Sequence, residues 1–224
     1  MESKKASNKT EEKEQSKKIN SNNQLKKIRS NFILKIFFGY INKRNSLEII
    51  KYNKNIQKRI NININHYKEY SEKYSSIEIE IILMENKFGQ FINIKEEDKV
   101  YYHIYFNDNK KEEIKYTFLN KNEKVSKINI IIDYHITSLS YLFYYCKCIE
   151  SINFKKFYRN NITDMSFMFY GCSSLKELNL NNFNANNVTN INGMFKECSD
   201  ELKIKIKSKY KNFNKNAFYD SIFI

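Results

Sequence analysis

Hydrophobic and polar positions recur with three different periods along this chain. Ile33, Ile36, Phe37, Tyr40 and Ile41 return at three- and four-residue spacing, which places them on one face of a short α-helix, with Ser30 or Asn31 positioned to cap it. After the polar turn Asn42-Lys43-Arg44-Asn45, a second helical pattern carries Leu47, Ile50, Ile56 and Ile60, with Asn53 as a break, and the two together predict a helical hairpin. Residues 67–75, rich in tyrosine and charge, add a helical turn. The period then drops to two. Ile77-Glu78-Ile79-Glu80-Ile81 alternates cleanly and Tyr102–Phe106 more loosely, and Phe91–Ile94, Ile114–Phe118 and Ile128–Ile132 are further strand candidates. Gly89 and Asn107-Asp108-Asn109 supply turns between them. A small antiparallel sheet is expected, with its last strand, ending near Asp133, covering the segment that follows.

The third period is 26 residues: Leu142, Met168 and Met194 fall in step, as do Phe143, Phe169 and Phe195, and Cys146, Cys172 and Cys198. Ile136, Ile162 and Val188 open the turns, each followed by a threonine. Repetition of this length predicts a solenoid whose neighbouring coils share one core. Leu175, Leu178, Leu180, Phe183 and Val188 then face inward, Met168, Phe169 and Cys172 close the coil, and the asparagines Asn181, Asn182, Asn184, Asn186 and Asn187 satisfy turn backbone. In the third repeat Ile204 and Ile206 stand where Leu178 and Leu180 do, although Glu201 replaces Leu175, so a lysine-alternating strand is expected there. Leu202 to Ile224 reads as a closing cap, with Phe213, Ala217, Phe218 and Ile222 shielding the last coil at helical spacing.

The stretch from Asn161 to Asp200, NITDMSFMFYGCSSLKELNLNNFNANNVTNINGMFKECSD, resembles the BspA-like leucine-rich repeat, the Mycoplasma-type surface-protein repeat also widespread in protists. That resemblance implies a leucine-rich-repeat solenoid with a short strand at Leu178-Asn179-Leu180 and a short helical turn around Met165 to Phe169. It covers roughly residues 125–224. In such a solenoid the residues between the inward positions form a concave face for a protein partner. Here they are Ser151, Asn153 and Lys155, then Glu177, Asn179 and Asn181, then Lys203, Lys205 and Lys207. The segment Ile33–Ile60 looks like an F-box, which implies docking to a ubiquitin-ligase adaptor, although the usual leucine-proline and tryptophan are missing.

These readings give an α+β protein: a disordered tail over 1–27, a helical segment over 28–75, a β-rich region over 76–124 and a leucine-rich-repeat solenoid with a C-terminal cap over 125–224. Charge alters the picture little. The formal net charge of +14 comes almost wholly from lysines scattered along the chain, which reads as a solvated surface; the alternative is a basic face for RNA or an anionic membrane. No specific nucleic-acid recognition is expected, because the arginines that fork onto phosphate or guanine are few. The N-terminus lacks the apolar core of a secretory signal and Phe32–Ile41 is too short to span a bilayer, so an intracellular, cytoplasmic protein is expected. The four cysteines read as packed thiols, not metal ligands, since Cys146-Lys147-Cys148 is not a zinc-knuckle spacing and the three histidines are unpaired in sequence. No cofactor is expected. Isolated glycines exclude a P-loop or dinucleotide fingerprint, no nucleophile motif is present, and Glu78 and Glu80 lie on an outward strand face. A non-enzymatic protein-protein interaction module is therefore the expectation.

Overall fold

The computed structural model describes residues 25, 27–41, 43–181, 187–211 and 213–219. The tail expected over 1–27 falls almost wholly outside them, as do Asn182, Phe183, Asn184, Asn186 and Ile222. The chain divides into two units, Met1–Tyr70 and Ser71–Ile224.

The first unit is helical: α1 (Asn31–Tyr40), α2 (Lys43–Ile50), α3 (Lys54–Arg59) and the start of α4 (Ile64–Tyr74). Ser30 caps α1 by accepting from the Ile33 amide at 3.3 Å, and Asn53 caps α3 by accepting from the Ile56 amide at 3.1 Å, so the break expected at Asn53 is a helix start. Leu25, Leu34, Ile50 and Ile56 form its buried cluster, with Phe38, Ile49, Ile60 and Ile62 packed against them. The stripe Ile33, Ile36, Phe37 and Tyr40, read above as the hairpin's helix face, is exposed instead. Leu34 and Phe38, a quarter-turn away, are the residues turned toward the cluster.

The second unit corrects the expected solenoid. Its strands β1 (Ile77–Leu83), β3 (Tyr102–Phe106), β5 (Lys127–Ile132), β6 (Ile149–Lys156) and β7 (Glu177–Asn179) form one open, uncurled sheet in the order β3-β5-β1-β6-β7. All neighbours are antiparallel except β6 and β7, so the repeat strands extend the preceding sheet and the sheet is mixed. β5 does not cover the first repeat, as expected of it, because it is sandwiched between β3 and β1; β1 is the neighbour of β6. The short strands β2 (Gly89–Gln90) and β4 (Phe118–Leu119) pair separately.

The 26-residue offset survives as a register of backbone bonds. Ser151, Ile152 and Asn153 pair with Glu177, Leu178 and Asn179, and single bridges link Ser138 to Asp164 and Asp164 to Asn190. In the turns, the Phe143 amide donates to the Met168 carbonyl at 2.8 Å and the Phe169 amide to the Met194 carbonyl at 3.0 Å. These turns are not helical. Tyr141, Phe167 and Gly193 share positive φ (60°, 55° and 59°), as do Tyr145, Gly171 and Glu197, so the backbone path repeats where residue type does not. Gly171 is required by packing, since a Cβ there would lie 2.8 Å from the Tyr145 ring.

Both ends of this ladder are closed within the unit. At the start, Asn93 donates its amide to the Leu142 carbonyl at 2.7 Å and its side-chain nitrogen to the Tyr144 carbonyl at 2.8 Å. At the end, the Gly193 and Phe195 amides donate to Asn216 and Ala217, while Phe213 and Phe218 pack their rings on Phe195. Engagement of Asn93 with the first turn explains why Phe91–Ile94 is not a strand. Ile114–Phe118 is not one either; it contributes a single bridge, Ile104 to Ile114, and the first residue of β4.

The third repeat departs furthest. Instead of the lysine-alternating strand, Asp200–Lys209 forms α5. Ser199 accepts from the Leu202 amide at 3.2 Å, Asp200 and Glu201 occupy the first turn, and Lys207 and Lys209 occupy the last, an arrangement that suits the helix dipole. Leu202 and Ile206, four apart, are buried, whereas Ile204 is 67% exposed. Among the described residues no helix is long and apolar enough to cross a membrane.

Candidate functional site

Replacement of a third repeat strand by α5 leaves a groove of about 620 Å³ between the β6–β7 end of the sheet and the helix. Ile152, Leu178, Leu202 and Ile206, all buried in the core, line it together with polar and charged residues. Of the nine residues expected on a partner-binding face, Ser151, Asn153, Glu177, Asn179 and Lys205 line this groove. The other four do not. Lys155 pairs with Glu80, Asn181 accepts a long bond from the Tyr210 hydroxyl at 3.4 Å, Lys203 meets Asp200 at 3.2 Å, and Lys207 lies 4.6 Å from the centre of the Phe218 ring. Helical spacing is the reason for the split among the lysines, since alternation in sequence no longer puts them on one side.

Three groove groups were not read from sequence. Tyr210, just beyond α5, accepts from the Leu180 amide at 2.9 Å and so ties the helix end to the end of β7. Lys176, at the entry to β7, is paired with Glu150 at 2.8 Å, and that bond holds its ammonium above the usual lysine range. Glu80, on β1, reaches the groove from two strands away. Burial alone would raise its carboxyl, but hydrogen bonds and charge from Lys155 and Lys127 outweigh that and hold it below the usual carboxylate range. The signal for α5 was present in Ser199-Asp200-Glu201 followed by closing lysines.

Against these paired charges, the side chains of Ser151, Asn153 and Glu177 make no hydrogen bond or ion pair among the described residues. They offer a hydroxyl, an amide and a carboxylate along the groove. β7 is also an edge strand, paired with β6 on one side and with no strand on the other among the described residues. An extended chain laid in the groove would meet both kinds of group.

Elsewhere the polar groups are used structurally. The Cys172 thiol donates to the Phe143 carbonyl at 2.9 Å and the Cys198 thiol to the Phe169 carbonyl at 3.0 Å, one bond per repeat between neighbouring turns. All four cysteines are buried and free, and burial pushes the Cys148 thiol up to about 11 and the Cys198 thiol up to about 12. Arg159 is fully buried and donates to the backbone carbonyls of Asp133, Tyr134 and Ile136, pinning the entry to the first repeat. His103 sits between Glu113 at 2.8 Å and Asp133 at 3.5 Å. Among the described residues no group of three or more histidines, cysteines and carboxylates is placed to hold a metal ion.

Residues 112–220 match the model of a family described as Mycoplasma protein of unknown function, DUF285. The match spans a little under half of the chain and supports a Mycoplasma-type repeat family for that stretch. No curated protein matches the chain. No solved structure matches it either.

Proposed function

We propose that this protein is a non-enzymatic binding module of BspA-like repeat type that takes an extended segment of a protein partner in the groove between β7 and α5. One observation carries the reading: Ser151, Asn153 and Glu177, unengaged among the described residues, line a groove beside a sheet edge that no further described strand covers. Main-chain bonds to an edge strand supply affinity of a general kind, and side chains that vary between repeats supply selectivity. Ser151 and Glu177 occupy the same repeat position yet differ in charge. A binding role also fits the carboxylates: Glu78 and Glu80 are held in lysine pairs rather than poised for proton transfer.

Selection of peptides from a random library on the full chain tests this. Selected peptides should bind at least tenfold more weakly to Asn179→Arg, which fills the groove, and to Glu177→Lys, which reverses its free charge, with the far-ultraviolet spectrum of each variant unchanged. Peptides that bind both variants as well as the parent would place recognition elsewhere.

A further inference from the structure

Although lysines occur throughout the chain, the excess of positive charge is uneven: Met1–Tyr70 holds 17 lysines and arginines against 6 acids, and Ser71–Ile224 holds 22 against 19. The excess concentrates further between Leu25 and Ile62, a stretch that contains ten basic residues and a single acid, Glu48. Within that stretch α1 exposes Phe32 (72%), Ile33 (54%), Ile36 (44%), Phe37 (41%) and Tyr40 (89%). Lys27, Arg29 and Lys35 beside them are exposed as well.

We infer that α1 is a docking face for an anionic lipid surface. A ten-residue helix is about 15 Å long, too short to span a bilayer but long enough to lie in its interface with aromatic and aliphatic side chains among the acyl chains. The exposed stripe is a convex helix face, and a fluid lipid surface accepts such a face without a matching pocket. The surrounding cations set the sign of the headgroup, because basic residues near a membrane are attracted by anionic lipids and indifferent to neutral ones.

The test uses the full chain with vesicles of phosphatidylcholine alone and of an equal mixture of phosphatidylcholine and phosphatidylserine. Co-sedimentation should be at least tenfold stronger with the mixed vesicles, should fall when salt rises from about 0.1 M to about 1 M, and should be lost in Phe32→Ser/Phe37→Ser and in Lys27→Glu/Lys35→Glu. Because the chain has no tryptophan, Phe37→Trp provides a single reporter whose emission should shift to the blue on mixed vesicles and not on neutral ones. Equal binding to both vesicle types, no emission shift, or self-association that the serine variant abolishes without vesicles would overturn the inference. So would a stable complex with a ubiquitin-ligase adaptor protein that the serine variant loses while vesicle binding is absent.

Discussion

Phe169 lies between Phe143 and Phe195 with ring centroids 5.7 and 5.6 Å away and planes within 10° and 3° of parallel, so its ring is core on both faces. Phe169→Ala should cost about 3 to 5 kcal/mol in denaturant titration, the range for a large buried aromatic, and a loss under about 1 kcal/mol would show that the ring stack is not core. The thiols at the same repeat were legible for the same reason: whatever packs one turn on the next must recur at the repeat. Asn93 was not legible, because the group that closes the first turn comes from outside the period and its residue type alone announces nothing. Glu80 carries a pH prediction. Its folded carboxyl titrates below the ordinary value of 4.5, so its contribution is complete above that value and is lost as pH falls through the lowered folded value. Stability measured between about pH 6 and pH 3 should fall toward acid, and less steeply in Glu80→Gln. An equal slope in the variant would mean that the Lys155 and Lys127 pairs do not matter to folding.

At the scale of elements, repeat spacing and local helix signals disagree over residues 200–209, and the local signals prevail. Lys-Ile-Lys-Ile-Lys alternates like a strand and keeps the isoleucines at the repeat offset, which is why a third strand is the natural reading. The cap at Ser199, the acids of the first turn, the lysines of the last and the pair Lys205–Glu201 at 2.7 Å favour a helix, and Leu202 with Ile206 give it one buried stripe. Ser199→Ala should therefore lower stability by about 1 kcal/mol and lower helical content, whereas a strand would be indifferent to that hydroxyl. The reverse failure occurs at α1. Its apolar residues extend around more of the helix than one packed stripe needs, so spacing alone could not say which of two stripes is buried; Leu34 and Phe38 won.

At the scale of the molecule, the α+β class and the strands β1, β3 and β5 could be read from period-two alternation. Their joining to the repeat strands in one sheet could not, because nothing local in β1 says which strands flank it. That joining, and the helix that ends the sheet after β7, create the groove on which the proposed function rests. The most direct test is the backbone carbon chemical shifts of residues 200–209 in the full chain by nuclear magnetic resonance. Helical shifts from Asp200 to Lys209 are predicted. Extended shifts there, with cross-strand contacts from Ile204 to Leu178, would mean that a third repeat strand continues the sheet, occupies the groove and removes the proposed site.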